Sequence, residues 1–279
     1  ELSDPAARDL TFTTTHHVHW TSADEGLHVA GWSTGAQHLG MWSCWHRTDR
    51  GDLVAFAGHP WPRTWTWGKR GSWAEQLAER IGIDTVDERI DDYDGVFSMV
   101  VATADGRAAV GADPMGLGLV YHGVSDDVAV VSNRAAVVAR LITPAGREPA
   151  RDVGSALLLS YASNLQQGRT MFAGVRLQPH ATVTHLGSGR DPMHRQRTER
   201  PWHDPTLAGA DPRDLYPLAV DDLRRLVRAQ VAVPAWRRTV ELTGGRDSRL
   251  VLSLLLGEGL TDRMVCTTWG GPSLPDVQV

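Results

Sequence analysis

Short apolar runs and alternating apolar positions predict mainly β-structure for the first two thirds of the chain. Strands are predicted at residues 27–32, 53–57, 94–103, 108–113, 128–132 and 181–186. Turn signals at 104–107 and 114–118 bound the central strands. Helical spacing adds short helices at 72–81, 135–141 and 156–163. Residues 187–212 carry no periodicity and are predicted to be a linker.

The last third of the chain has a different pattern. Apolar residues at helical spacing predict a helix from Leu215 to Gln230, with Pro217 in its first turn. A short β-rich run then ends at Thr243, and a glycine turn leads into a second helix with Leu250 and Leu254 on its apolar face. Residues 263–270 read as a parallel strand reached by a right-handed crossover.

Composition and charge narrow the classes of partner. With 279 residues and 42% hydrophobic content, the chain can bury the core of one or two domains. A net charge of −5 gives no basic footprint, so we expect neither nucleic acid nor a membrane surface as partner. Cys44 and Cys266 are far apart and in no metal-type spacing, which favours a reducing cytoplasm.

The two ends of the sequence carry an expectation of their own. The chain begins at Glu1, with no signal-peptide pattern, and stops at Val279 soon after the second predicted parallel strand. We therefore expect the intact protein to have further residues at both ends.

Aromatic, histidine and cysteine residues near the start have two interpretations each. Eight of the 11 tryptophans precede residue 74, where a core role is favoured over a surface for a peptide or aromatic substrate. His17 and His19 share one face of a strand, but nothing nearby completes a metal site. Cys44, with His46 two positions away, is favoured as a structural thiol over a displaced nucleophile.

The segment from Thr243 to Ser248 carries the clearest chemistry. A strand, a glycine turn and a helix start aim backbone N–H groups at one point, and the helix dipole adds positive charge there. This geometry favours an anion. A Walker-type loop needs a lysine after the glycines, but here Arg246 lies in the turn and Asp247 follows it.

The sequence Thr-Gly-Gly-Arg-Asp-Ser at 243–248 resembles the SGGxDS pyrophosphate loop of enzymes that split ATP between its α- and β-phosphates. Thr243 keeps the hydroxyl of the first serine. The resemblance implies ATP and Mg²⁺ as cofactors, with Asp247 near the metal that bridges the phosphates. The implied ATP and pyrophosphate ligands are Leu242, Thr243, Gly244, Gly245, Arg246, Asp247 and Ser248. The implied adenine contacts are Thr268, Trp269 and Gly270, and Asp276 is a weaker candidate for the nucleotide site.

The order of motifs along the chain is similar to that of asparagine synthetase-like proteins. The matching segments are Gly-Val-Phe-Ser at 95–98, Ala-Asp-Pro-Met-Gly-Leu at 112–117, Tyr-His at 121–122, Ser-Asn at 132–133 and Thr-Met-Phe-Ala-Gly-Val at 170–175. The resemblance implies an α+β N-terminal-nucleophile, class II glutaminase-like domain with two stacked antiparallel sheets at 1–190. A linker at 191–212 and the beginning of an α/β adenine-nucleotide α-hydrolase-like, or PP-loop, domain at 213–279 would follow.

Departures from the family pattern affect the glutaminase half. No cysteine stands at the start of the chain, where such enzymes carry their nucleophile. The family's Asn-Gly-Glu aligns with Ala57-Gly58-His59, and its Ser-Asp-x-Glu falls near Trp73-Ala74-Glu75, so an amide donor and a carboxylate are lost. We expect a scaffold without glutaminase activity, and no catalytic residue is identified.

The resemblance as a whole implies an ATP-dependent amide-forming ligase that adenylylates a carboxylate and releases pyrophosphate. The pattern is similar to that of lasso-peptide cyclases and β-lactam synthetases, in which an amine of the substrate itself attacks the adenylate. The implied partners are a small-molecule or peptide carboxylate, a precursor peptide for macrocyclisation, and a second copy in a homodimer. The alternatives left open are a glutamine-hydrolysing asparagine synthetase and a non-catalytic binding or regulatory module.

Overall fold

A computed structural model describes residues 16–33, 43–64, 71–162, 168–187, 192–196, 207, 209–232, 238–243 and 245–268. The chain divides into two compact units, and along the sequence the main boundary lies between His203 and Asp204. The domain limits 1–190 and 213–279 stay a prediction.

Regular elements account for most of the described residues. The strands are β1 (His16–Thr21), β2 (His28–Ser33), β3 (Trp45–Arg47), β4 (Leu53–Gly58), β5 (Trp61–Pro62), β6 (Tyr93–Asp94), β7 (Phe97–Thr103), β8 (Arg107–Ala112), β9 (Tyr121–Val124), β10 (Ala129–Ser132), β11 (Arg176–Leu177), β12 (Thr182–Gly187), β13 (Met193–Gln196), β14 (Thr239–Glu241) and β15 (Val265–Thr267). The helices are α1 (Trp73–Ala78), α2 (Val86–Arg89), α3 (Ala135–Ile142), α4 (Val153–Ala162), α5 (Pro212–Ala232) and α6 (Arg246–Gly257).

The first unit is a mixed α+β structure with several antiparallel sheets. The largest sheet has six strands in the order β13-β12-β8-β7-β4-β3, and a three-stranded sheet has the order β10-β9-β11. The hairpin β1–β2 and the short pair β5–β6 form further antiparallel ladders. This confirms the α+β expectation with antiparallel sheets, whereas the N-terminal-nucleophile assignment stays a prediction.

Three tryptophans lie in the core of this unit, whereas Trp32 is 40% exposed, so the core prediction is wrong for Trp32. Trp20 is buried against Leu53, Ala102 and Ala108, and its indole Nε1 donates to the carbonyl of Gly51 at 2.7 Å. Trp61 and Trp73 are also buried, with ring centroids 5.4 Å apart in an edge-on arrangement. The core interpretation is therefore confirmed for these three residues. Trp42, Trp65 and Trp67 lie outside the described ranges.

A buried turn follows strand β8. The Asp113 side chain is 1% exposed, and its two carboxylate oxygens accept hydrogen bonds from the backbone N–H groups of Met115, Leu117 and Gly118. Gly118 lies so close to strand β7 that a Cβ there would be 1.8 Å from the carbonyl oxygen of Phe97. The Asp-Pro-Met-Gly element is thus a structural turn held by one carboxylate.

Two sequence predictions about local structure were wrong in part. The predicted linker at 187–212 contains strand β13, which pairs with β12 and so belongs to the six-stranded sheet. Helix α5 begins at Pro212, so Pro217 lies in the second helical turn and not in the first. In that position its ring nitrogen cannot donate to the carbonyl of Arg213.

Replacement of Ala181 by glycine is expected to stabilise the first unit. Ala181 has a φ of 51° at the start of β12, in the left-handed region that disfavours residues with a Cβ. Glycine relieves a strain of about 1–2 kcal/mol but removes a methyl group that is 4% exposed, worth about 0.8 kcal/mol. The free energy of unfolding should therefore rise by no more than about 1 kcal/mol in urea titrations. The matched control Ala109→Gly, in strand β8, should be destabilising. A loss of stability in Ala181→Gly would contradict the strain argument.

The second unit contains a parallel β–α–β arrangement, as the sequence predicts. Strands β14 and β15 pair in parallel, with Val240 opposite Cys266, and α6 connects them. Their core is formed by Val227, Val231, Val240, Leu254 and Leu255. Cys266 was expected in a strand core, but its side chain is exposed here. Among the residues with assigned structure, no helix is both long and apolar enough to cross a membrane.

One carboxylate joins the two helices of this unit. Glu258, directly after α6, accepts from Arg228 at 3.2 Å and lies 3.5 Å from Arg224, and both arginines belong to α5. The Glu258 side chain is 14% exposed, whereas the side chains of Arg224 and Arg228 are 44% and 58% exposed. This cluster fixes the carboxyl end of α6 against α5.

Candidate functional site

The turn between β14 and α6 lies at the carboxyl ends of the two parallel strands. The backbone N–H of Leu242 donates to the carbonyl of Thr267 at 2.7 Å, which extends the ladder by one residue beyond β14. The chain leaves the sheet at Thr243 and enters α6 at Arg246. In open α/β sheets, ligands bind at this edge.

Thr243 and Ser248 hold the turn closed. The backbone N–H of Thr243 donates to the Ser248 hydroxyl at 3.1 Å, and that hydroxyl donates to the Thr243 carbonyl at 2.9 Å. The Thr243 hydroxyl accepts from the backbone N–H of Gly245 at 3.2 Å. Two short side chains thus fix the backbone on either side of Gly244, which itself lies outside the described ranges.

The start of α6 has the features of an anion-binding helix end. Gly245 is the N-cap residue, with φ −70° and ψ 162°, and, as a glycine, it has no side chain to cap the helix. The helix has 12 residues, so its dipole adds partial positive charge to the N–H groups of its first turn. Those donors are available to a ligand with anionic oxygens.

Charged side chains surround this helix end. Arg246 and Asp247 are exposed in the first turn, and Asp247 makes no hydrogen bond or ion pair with any residue whose position is described. A solvent-facing carboxylate beside an anion site fits a Mg²⁺ ion that bridges a phosphate. Arg249, one turn further on, donates through Nε to the Gly245 carbonyl at 3.2 Å.

The structure brings most of the predicted ligands together. Leu242 and Thr243 directly follow β14, Gly245 precedes α6, and Arg246, Asp247 and Ser248 form the first turn of that helix. Thr268 follows β15 and is exposed at the same edge of the sheet. Gly244, Trp269 and Gly270 lie outside the described residues, so their predicted contacts stay predictions. So do the nucleotide contacts of the other residues.

A cavity of about 430 Å³ borders the turn and strand β14. Four consecutive residues from Arg238 to Glu241 line it, and Ser248 and Val251 of α6 close one side. Because successive side chains of a strand point to opposite faces, four consecutive residues can share a cavity only along the edge of the strand. The cavity therefore follows the edge of β14 and reaches the turn at Ser248.

The positions predicted to align with glutaminase residues have local structural roles. Gly58 has a φ of 85° and packs so closely on Val96 that a Cβ would be 2.1 Å from its carbonyl oxygen. Glu75 forms a capping box with Ser72 at the start of α1, so its carboxylate is engaged with the backbone. The ring of His59 is parallel to that of Trp61, with centroids 6.2 Å apart.

The other early candidates lie in or next to antiparallel strands. Cys44 is half-buried, and its carbonyl accepts from the backbone N–H of Phe56 at 2.8 Å. His17 and His19 lie in β1. Across the described stretches of chain, no three residues of the types His, Cys, Asp and Glu come together as a metal site.

Sequence reasoning missed the internal hydrogen bonds of the turn. It placed Ser248 as a phosphate ligand and did not identify Arg249 at all. The position of Arg249, four residues after the N-cap residue, could have revealed this contact. A side chain at that spacing can donate to the carbonyl group of the N-cap residue.

Comparison with known proteins gives no family assignment. No protein-family model matches the chain, and no curated protein matches it. Among solved structures, the chain is similar to a glutamine phosphoribosylpyrophosphate amidotransferase from B. subtilis, solved with ADP and GMP. The TM-score is 0.37 with 11% sequence identity, over 88% of this chain and 58% of that one. This chain thus spans less than two thirds of the other protein's length, and the likeness is too weak to assign a function.

Proposed function

We propose that this chain supplies the pyrophosphate-binding loop of an ATP-dependent, Mg²⁺-requiring ligase that forms amide bonds through an adenylylated carboxylate. The observation that supports this is the turn from Thr243 to Ser248, held by its own hydroxyl groups at an uncapped helix start. An anion cradle of this kind, at the carboxyl ends of parallel strands, suits the β- and γ-phosphates of a nucleotide.

Different groups of the turn would bind the phosphates in different ways. Backbone N–H groups at the start of α6 donate to phosphate oxygens, and the hydroxyls of Thr243 and Ser248 add two donors. Arg246, exposed in the first turn, supplies positive charge. Asp247 would hold a Mg²⁺ ion, which neutralises phosphate charge when bound. Leu242 and Thr268, at the ends of neighbouring strands, are the proposed adenine contacts.

The proposed reaction has two steps. A substrate carboxylate oxygen attacks the α-phosphorus of ATP, and the bond to the bridging oxygen breaks, so pyrophosphate leaves and an acyl adenylate forms. An amine then attacks the acyl carbon, the amide forms, AMP leaves and a proton is released. Stabilising the leaving pyrophosphate is the contribution of the turn to the first step.

The amine is proposed to belong to the substrate itself. The positions that align with glutamine-binding residues serve the local fold, as the capping box of Glu75 illustrates. An intramolecular amine needs no ammonia from glutamine, and proximity then lowers the barrier. The proposed substrate is a small molecule or a peptide, such as a precursor peptide, that carries both a carboxylate and an amine.

Exchange of labelled pyrophosphate into ATP by the intact protein tests the proposal. We expect exchange that requires a carboxylic substrate and Mg²⁺, and a loss of about 100-fold in Asp247→Asn because the carboxylate near the metal is gone. Asp262→Asn, which changes another exposed acid of the second unit, is the matched control and should retain full exchange.

Two outcomes would overturn the proposal. Absence of exchange with every candidate carboxylic substrate, while ATP still binds, would favour a non-catalytic binding module. Release of glutamate from glutamine by the intact protein would favour a glutamine-hydrolysing synthetase. A neighbouring gene for a short precursor peptide would identify macrocyclisation as the second step.

A further inference from the structure

A polar cluster joins the two larger sheets of the first unit. His122 on β9 and His194 on β13 have ring centroids 4.3 Å apart, with planes tilted by 55°. His194 Nδ1 lies 2.8 Å from the hydroxyl of Thr184, which is fully buried on β12. The Thr184 hydroxyl also lies 2.6 Å from Oε1 of Gln178, itself buried. The contact between the two imidazole rings thus links edge strand β13 of the six-stranded sheet to strand β9 of the three-stranded sheet.

Hydrogen-bond geometry fixes the tautomer of His194. The amide nitrogen of Gln178 donates to the Thr182 carbonyl, so Oε1 of Gln178 faces the Thr184 hydroxyl and must accept from it. A hydroxyl has one proton, so the Thr184 oxygen accepts from His194. Neutral His194 therefore carries its proton on Nδ1. A second proton would enter at Nε2 and give the ring a positive charge beside His122.

The surroundings of His122 disfavour a positive charge. Burial, His194 and Arg176 lower the pKa of His122 from 6.5 to about 4. Arg176 is opposite His122 on β11, and apolar Val131 is opposite it on β10. Val138 and Ile142 of α3 pack beside the neighbouring Gly123. Among the described residues that pack here, the titratable or charged neighbours of His122 are therefore His194 and Arg176, and neither stabilises an imidazolium.

Strand β13 is held by side chains on both of its faces. Its four residues are all exposed at the edge of the sheet. On the face opposite His194, Arg195 donates to Asp87 of α2 at 3.0 Å, and His185 of β12 contacts the same carboxylate at 2.8 Å. The Asp87 carboxylate thus holds β13 on the face opposite the imidazole pair.

We propose that His122 and His194 form an acid-sensitive latch, which holds edge strand β13 on the six-stranded sheet when both rings are neutral and releases it when one is protonated. In the unfolded chain a histidine takes up its proton near pH 6.5. The latch is complete above that pH, and its contribution is lost progressively as the pH falls toward 4. Release of β13 would remove one edge strand from the six-stranded sheet of the first unit.

Hydrogen exchange of the full chain at pH 7.5 and pH 5.0 tests the latch. After correction for the intrinsic rates, the amides of β13 should exchange about 30-fold faster at pH 5.0, because the opening equilibrium gains tenfold for each pH unit below 6.5 until the pKa of His122 in the closed state, about 4, is approached. Strands β7 and β8, in the middle of the sheet, should show equal protection at both pH values. Equal protection of β13 at both pH values would overturn the proposal.

Three variants separate the latch from ordinary packing. His122→Phe keeps an aromatic ring that cannot be protonated. The ratio of the β13 exchange rates at pH 5.0 and pH 7.5 should therefore fall below about twofold. His17→Gln, at an exposed histidine of β1, should keep the wild-type ratio. Arg195→Gln removes the ion pair with Asp87 on the opposite face of β13. The amides of β13 should then exchange faster at both pH values, while the ratio of the two rates stays that of the wild type. A wild-type ratio in a folded His122→Phe protein would overturn the proposal.

Nitrogen NMR of the wild-type protein gives a second test that needs no substitution. At pH 7.5 the neutral ring of His194 should carry its proton on Nδ1, as the bonds of Thr184 and Gln178 require. If neutral His194 carried its proton on Nε2, it could not donate to the Thr184 hydroxyl through Nδ1. That result would contradict the proposal.

Discussion

Replacement of Asp113 by alanine is expected to lower the free energy of unfolding of the first unit by at least about 3 kcal/mol, because three backbone N–H groups lose a charged acceptor. Those donors belong to Met115, Leu117 and Gly118. The carboxylate is 1% exposed, so water cannot take its place without opening the turn. Urea titration followed by tryptophan fluorescence measures the effect, since the buried tryptophans report on this unit.

The control for this substitution is Asp127→Ala. Asp127 is exposed in the turn between β9 and β10, so its loss should change the free energy of unfolding by less than about 0.5 kcal/mol. Asp113→Asn should lie between wild type and Asp113→Ala, because an amide retains one acceptor oxygen. An Asp113→Ala protein with wild-type stability would show that the turn is held by other contacts.

Replacement of Ser248 by alanine is expected to reduce substrate-dependent pyrophosphate exchange by about 100-fold or more, since it removes a hydroxyl that we propose to donate to the leaving pyrophosphate. It also removes the bonds to both backbone groups of Thr243, so the turn loses its fixed shape. Ser248→Thr keeps the hydroxyl and should recover most of the activity. The measurement is exchange by the intact protein, with the melting temperature taken in parallel.

Ser253→Ala is the matched control for Ser248. Ser253 lies on the same helix, one to two helical turns after Ser248, and donates to the Leu250 carbonyl at 2.8 Å. It should retain full exchange. If Ser248→Ala and Ser253→Ala had equal activity, Ser248 would have no role in binding phosphate.

Local patterns were enough to predict most elements of the sheet. The hairpin β7–β8 follows from apolar strands around a short polar turn, and Val100 opposite Val110 confirms the pairing. The start of α1 follows from Ser72 and Glu75, which form a capping box. In each case the residues that decide the structure are neighbours along the chain.

Strand β13 could not be predicted in this way. Its sequence, Met-His-Arg-Gln, is polar and exposed, so it shows no alternation between apolar and polar positions. What holds it is distant in sequence: Arg195 bonds to Asp87, and His194 contacts His122. Edge strands fixed by such long-range polar contacts resemble linkers until the fold is known.

In the candidate site, too, the consecutive residues could be predicted from the sequence, whereas the features that depend on long-range packing could not. The turn from Thr243 to Ser248 was found because its residues are consecutive and their types are informative. The cavity beside β14 depends on how α5 and α6 pack, so no local pattern could reveal it. The exposure of Cys266 was missed for a related reason, since a short apolar run does not show which strand faces are covered.

The hydrogen bonds between Thr243 and Ser248 have a thermodynamic consequence. Because they already order the turn, a phosphate group would not have to freeze a mobile segment on entering, and the entropic cost of binding is correspondingly small. Binding would instead turn the Ser248 hydroxyl from the Thr243 carbonyl, 2.9 Å away, toward the ligand. One hydrogen bond is then exchanged for another, so affinity would be governed by the charge of the ligand.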